Sequence, residues 1–270
     1  MVVPEEIATA LDAGDVAVVR HWLTSGARDA NDVDSKGFTL LQNTVNRPQS
    51  GDTPWGPLVP RVEMIRLLIE HGADVNHKVI GMEPIFDCTS AEEVRVLLDA
   101  GGDVNARFRM PQVDSWGETP LMNCGQQAPV FPAIVDVAKF LVKRGADLSL
   151  TNSAGQDAET YARERSEAAE GLQLPPEEQN GILRLDPVPP RHLADWLADV
   201  RRAGGYQKFV NEPRVALARL RLLCERGRAS PPDGATKEDR ALERLFGPRT
   251  PLPRDVFWLV VQYWRSDRDV

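Results

Sequence analysis

The chain has 270 residues, 42% hydrophobic and 27% charged, with 32 Lys+Arg against 40 Asp+Glu. This is the balance of a soluble globular protein, long enough for one large domain or for a repeat array with an appendage. No apolar run approaches the roughly 18–20 residues of a membrane helix, and 3 widely spaced cysteines exclude a disulfide framework.

Met1-Val-Val-Pro-Glu-Glu has neither the basic start nor the apolar stretch of a secretory signal. An intracellular protein, cytoplasmic or nuclear, is expected. The net charge of −8 is unevenly spread: residues 1–183 carry 15 Lys+Arg against 28 Asp+Glu, residues 184–270 carry 17 against 12. The change of sign supports a boundary between the two parts.

Four segments in chain order carry an apolar helical spacing and then stop alike. Val16, Val19 and Leu23 lead into Trp22-Leu-Thr-Ser-Gly-Ala; Met64, Leu67 and Leu68 lead into Glu70-His-Gly-Ala-Asp-Val-Asn. Val94, Leu97 and Leu98 precede Asp99-Ala-Gly-Gly-Asp-Val-Asn; Val137, Phe140 and Leu141 precede Lys143-Arg-Gly-Ala-Asp-Leu. Gly26, Gly72, Gly101 and Gly145 stand where each helix must end in a left-handed residue, a conformation cheap only for glycine. Between these endings recurs a turn followed by a shorter helix: Asp34-Ser-Lys-Gly-Phe-Thr-Leu-Leu, Gly81-Met-Glu-Pro-Ile and Asp114-Ser-Trp-Gly-Glu-Thr-Pro-Leu. Thr119 can cap its helix, and Pro120, like Pro84, suits a first helical position whose N–H has no partner to lose.

Turn, short helix and second helix recur about every 33 residues, and the pattern resembles ankyrin repeats. The Thr-Pro-Leu-His-x-Ala signature stands as Thr39-Leu-Leu-Gln-Asn-Thr44, Glu83-Pro-Ile-Phe-Asp-Cys88 and Thr119-Pro-Leu-Met-Asn-Cys124. Gly-Ala-Asp-Val-Asn stands nearly intact at 72–76 and 101–105. The resemblance implies an all-α ankyrin-repeat solenoid of helix-turn-helix units over residues 1–169, about four repeats plus a partial end cap. Residues 170–190, rich in Pro, Glu and Gln, read as a linker, and 191–270 as a helical C-terminal extension. Gln42, Phe86 and Met122 replace the signature histidine, leaving the polar bonding between repeats without its usual donor. The Pro/Gly-rich stretch 46–60 reads as a loop inserted in the second repeat, 125–133 lengthens the fourth, and the third passes directly from Cys88 to Val94.

Nothing in the chain assembles a catalytic set. Cys88 and Cys124 fall at the small-residue position of the signature and read as packing residues. Cys224 lies on an apolar helix face with no histidine at ligand spacing, the histidines are isolated, and the carboxylates are scattered. A non-enzymatic role with no cofactor or metal is therefore expected.

A binding role rests on the turn tips, which stacked repeats line up beside a concave face. Lys36, Phe38, Met82, Arg107, Phe108, Arg109, Trp116 and Glu118 are the candidate contact residues, since aromatic, methionine and arginine side chains at exposed positions suit an interface. Val79 and Ile80 are the tip residues expected to pack between neighbours. The expected partner is an unidentified protein.

In the tail, Leu193, Trp196, Leu197 and Val200 predict a helix over 190–203, and Leu217, Leu220 and Leu223 a second beginning at Pro213. Residues 230–239 read as a loop, and Phe257, Val260, Val261 and Trp264 predict a final apolar-faced helix. Two roles compete for it. The helices cap the open end of the solenoid, or they recruit elongin- and cullin-type ubiquitin-ligase subunits. The latter rests on similarity of Leu220-x3-Cys224 and Leu252-Pro253 to a SOCS box, from which Arg219 and Arg228 depart. A nucleic-acid-associated adaptor is a further alternative, against which the short arginine stripe and the acidic whole chain argue.

Overall fold

The computed structural model describes residues 2–26, 28–46, 58–109, 117–128, 133–171 and 191–225. Among these residues all regular structure is helical, joined by three isolated β-bridges. The order is α1 (Glu5–Asp12), α2 (Val16–Thr24), α3 (Leu40–Asn46), α4 (Leu58–Glu70), the 3-10 turn η1 (Pro84–Asp87) and α5 (Ala91–Asp99). Then come α6 (Pro120–Gln127), α7 (Ile134–Lys143), α8 (Ala158–Gly171), α9 (Arg191–Arg202) and α10 (Tyr206–Glu225). The chain divides into two compact units, residues 1–198 and 199–270, with the division inside α9.

Local chemistry sets the helix ends in the first unit. Asp15 caps α2 by accepting from the Val18 N–H, and Thr119 caps α6 by accepting from Met122. Ser90 and Glu93 form a reciprocal capping box at α5. At the other ends Gly72, Gly101 and Gly145 take φ values of 87°, 93° and 96°. The next residues, Ala73, Gly102 and Ala146, donate back to Leu68, Leu97 and Leu141 at 2.9–3.0 Å. These are Schellman closures, and they end three helices with the same backbone geometry.

The helices pack in two rows. A leading row runs α1, α3, η1, α6, α8, each in contact with the next; a trailing row runs α2, α4, α5, α7 in the same way. Rungs α1–α2, α3–α4 and α6–α7 join the rows. Leu40, Leu41, Ile65, Leu67, Leu68, Leu97, Leu121 and Leu141 are buried between them. Each contributes roughly 1.5–3 kcal/mol by leaving water, which is the main stabilising term of the unit. At Gly125 the α6 and α8 backbones come so close that an added Cβ would lie 3.1 Å from the Ala162 Cα.

The rows are also stitched by polar bonds that repeat from unit to unit. Asn31 donates from Nδ2 to the Gly72 carbonyl at 3.0 Å and accepts from the Asp74 N–H at 2.7 Å. Asn76 does the same to Gly101 and Asp103, at 3.1 and 3.0 Å, and Asn105 accepts from Asp147 at 2.9 Å. Asp29, Asp74, Asp103 and Asp147 each accept from a backbone N–H two residues on, fixing the turns that aim this clamp.

The polar link that the missing histidine leaves open is supplied differently at two junctions. Gln42 accepts from Thr39 through Oε1 and donates through Nε2 to the carbonyls of His77 (3.0 Å) and Met82 (3.3 Å). Phe86 is buried instead, and Asn123 donates to its carbonyl at 2.7 Å.

Three sequence-based expectations about element ends change. The trailing helix α4 begins inside the stretch 46–60 read as a loop, with Pro60 in its first turn, where a missing N–H breaks no helical bond. Helix α8 runs two residues into the expected linker, the rest of which lies outside the described residues. Helix α10 starts at Tyr206 and carries Pro213 in its interior. The stop is Gly204-Gly205, with φ of 80° and 113°, and Phe209 and Val210 are buried just after it. Helix α9 buries Leu193, Ala194, Leu197 and Val200 on one face. The loop 230–239 and the helix after Pro253 lie outside the described residues.

Candidate partner-binding surface

The tips between the rows are built by their backbones. In the first, Asp34 Oδ1 accepts from Lys36 N (2.8 Å) and Phe38 N (3.0 Å), with Gly37 at φ 88°. Lys36 is left exposed and Phe38 half-buried.

In the second tip, Val79 and Met82 exchange both backbone bonds at 3.0 Å around Ile80 and Gly81, at φ 50° and 80°. Two consecutive positive φ values define a type I′ turn, whose first central position prefers Asn, Asp or Gly. A β-branched isoleucine there is strained by roughly 1–3 kcal/mol. Ile80 is nevertheless 53% exposed. It does not pack between neighbouring tips, contrary to expectation, because the turn directs its side chain outward. Val79 is half-buried.

The third tip closes by a backbone pair: Phe108 N donates to Glu118 O at 2.9 Å and Gly117 N to Phe108 O at 2.8 Å. Arg109 N reaches across to Gly81 O of the second tip at 3.1 Å. The Phe108 ring lies 6.4 Å from that of Phe86, tilted by 56°, and is half-buried. Arg107 Nη1 donates to the carbonyls of Gly117 (2.5 Å) and Thr151 (2.6 Å), tying this tip to the last one. Glu118 Oε1 accepts from the Tyr161 hydroxyl at 2.9 Å. Met82 is half-buried, Arg109 is exposed, and Trp116 lies outside the described residues.

Among the candidate residues the tips therefore bring together Met82, Arg107, Phe108, Arg109 and Glu118 along one connected ridge, with Lys36 and Phe38 on the first tip. Arg107 carries a bond that joins two tips, and Glu118 one that ties its tip to α8. Lys36 and Arg109 form no ion pair among the described residues. Between the third and last tips opens a cavity of about 480 Å³, lined by Arg107, Arg109, Gly117, Thr151, Asn152 and Ser153.

Among these arrangements, the I′ geometry at Ile80 was not anticipated, because isoleucine is not a residue that signals such a turn and Gly81 alone hints at it. Nor was the acidity of Asp87, at the end of η1, anticipated. Burial pushes its carboxyl up to about 6, a tertiary effect with no local sequence signature. Glu83 is raised too, by burial, against the pull of Lys78 at 3.0 Å.

Cys88 and Cys124 are buried free thiols, and burial raises both, Cys124 to about 12. Neither is a thiolate near neutral pH. Among the described residues no group of three or more His, Cys, Asp or Glu is placed to hold a metal, and no helix is long and apolar enough to cross a membrane.

Over 99 residues the chain is 33% identical to human ankyrin repeat and KH domain-containing protein 1. That stretch resembles an ankyrin-repeat protein. It covers 35% of this chain and only 4% of the relative. No family model matches the chain. The Leu220 and Cys224 side chains and residues 252–253, on which the ligase resemblance rests, lie outside the described residues.

Proposed function

We propose that residues 2–171 form an ankyrin-type solenoid and that the chain is a non-enzymatic scaffold, gripping a partner protein with its tips and leading row. The observation that carries this reading is the division of labour at the tips. Backbone pairs and the Arg107 bridges hold the ridge in place, while the side chains of Lys36, Ile80 and Arg109 are exposed and spent on no ion pair or ring contact among the described residues. Apolar and arginine side chains displayed on a rigid ridge are the composition of interface anchors. The recurring Asn–Gly/Asp clamp and the similarity to an ankyrin-repeat protein support the solenoid.

Site-specific photo-crosslinking tests the scaffold reading. A crosslinker at Lys36 is expected to yield a discrete protein adduct in cells, and one at Lys143 on the trailing row is expected to yield none. Adducts at Lys143 alone would move the contact surface to the opposite side.

A further inference from the structure

The geometry points to an acidic peptide segment of the partner as occupant of the tip ridge: a carboxylate held between Arg107 and Arg109, and an aliphatic side chain against Ile80. This deepens the scaffold reading and rests on it. The cavity of about 480 Å³ falls in the range of small-ligand pockets and has two arginines among its lining residues. One of them, Arg107, is placed by bonds that leave donors over. Arg107 spends Nη1 on the Gly117 and Thr151 carbonyls, so the plane of the group is set. Its Nε and Nη2 donors have no partner among the described residues. Arg109 is anchored through its backbone on Gly81, and its side chain is exposed. A pre-set fork beside a second guanidinium is the arrangement that takes a carboxylate in two-point fashion at little ordering cost.

One acidic group near the pocket already feels Arg107. The Asp147 carboxyl is held below its ordinary range first by Ser149 and last by the charge of Arg107. Asp147 is bonded to Ser149 N and Oγ at 2.8 and 2.7 Å, so it does not fill the fork.

The apolar half of the site is the neighbouring tip. The bond from Arg109 N to Gly81 O at 3.1 Å puts Ile80 one turn position from the arginine pocket. An isoleucine at φ 50° is strained, and at 53% exposed it gains little burial to offset that strain. It is explained by contact with something apolar outside the chain. The net charge of −8 works against a polyanion such as nucleic acid more than against an isolated carboxylate flanked by apolar side chains.

Fluorescence anisotropy of the full chain with labelled peptides tests this. The probes are an alternating Glu/Leu peptide, the same peptide with Gln for Glu, and a single-stranded oligonucleotide. The Glu/Leu peptide is expected to bind ~10-fold more tightly than its Gln counterpart, a ratio of the size a desolvated charge pair gives. Arg109→Gln should erase that ratio without moving Tm, because the side chain is exposed and bonds nothing among the described residues. Ile80→Asn should raise Tm, since Asn accepts the left-handed turn position, and yet weaken the Glu/Leu peptide. Equal binding of the two peptides, indifference to Arg109→Gln, or preference for the oligonucleotide would overturn the acidic occupant. Lys36 adducts persisting in that case would leave the scaffold reading standing, whereas their loss would remove both.

Discussion

The trailing row and the tip ridge use charge in opposite ways. On the trailing row, ionic groups are turned on one another. Arg66 of α4 meets Glu92 of α5 at 2.7 Å, Glu92 meets Arg95 at 2.6 Å, and Arg144 after α7 meets Asp99 at 2.7 Å. The hydrogen bond from Arg95, ahead of that from Arg66, lowers the Glu92 carboxyl to about 2. Beneath them Arg61 and Glu93, both side chains 0% exposed, pair at 3.1 Å, and Glu93 also accepts from the Thr89 and Ser90 N–H groups. On the ridge Arg109 and Lys36 have no such partners among the described residues. Charges that close on themselves register one helix against the next; charges left over at fixed positions are what a second molecule can read. The exposed trailing pairs, at roughly 0–1 kcal/mol each, do this more by geometry than by energy.

The sharpest way to break that comparison is at Arg61. Arg61→Ala leaves Glu93 buried without its counter-ion and is expected to cost about 3–5 kcal/mol in chemical denaturation. Converting both partners together, Arg61→Met with Glu93→Gln, should cost much less, because no charge is stranded. If the single variant loses under about 1 kcal/mol, the trailing row is not held by this pair.

Next in size is Asp87, which belongs to neither class: a half-buried residue at the end of η1 whose carboxyl is pushed up by desolvation from 3.8 to about 6. A raised carboxylate is bound to its proton in the folded chain at pH values where the unfolded chain has released it. Its contribution therefore improves as pH falls from about 6 toward 3.8, and the destabilisation is full above 6. Asp87→Asn should gain about 2 kcal/mol at neutral pH and almost nothing near the acid end of that window, read as the difference between variant and wild-type denaturation midpoints. A pH-independent difference would show that burial does not raise this group.

The inter-unit clamp comes third. Asn76→Ala removes bonds to Gly101 and Asp103 on an exposed edge and is expected to cost about 1 kcal/mol. Hydrogen exchange should quicken locally at 101–105. Smallest is the ridge itself: Arg109→Ala should shift stability by no more than about 0.5 kcal/mol. A larger loss would mean that its side chain is part of the fold rather than of the display.

Much of the helical plan was legible in the residues because its determinants are local. Thr119-Pro120 caps α6, Ser90 and Glu93 box α5, and Gly72, Gly101 and Gly145 close three helices, each within a few positions of chain. Pro213 misled for the same reason read in reverse. Proline suits a first turn, yet the Gly204-Gly205 stop and burial of Phe209 and Val210 started α10 seven residues earlier. The candidate ridge was legible as a set of tips but not as a surface. Arg107, Phe108 and Glu118 are engaged by Thr151, Phe86 and Tyr161, groups 22–44 residues away.

The sequence by itself determined the repeating grammar: the turn chemistry, the caps, the glycine stops and the apolar stripes, all of which act over one or two helical turns. Only the tertiary structure decided how Gln42 reaches the His77 and Met82 carbonyls, why Asp87 holds its proton to about 6, and that Arg109 pairs with no carboxylate among the described residues. Those properties depend on burial and on partners from other units. Both are set by helices and turns brought together from distant parts of the first compact unit, and neither has a signature within a few residues of sequence.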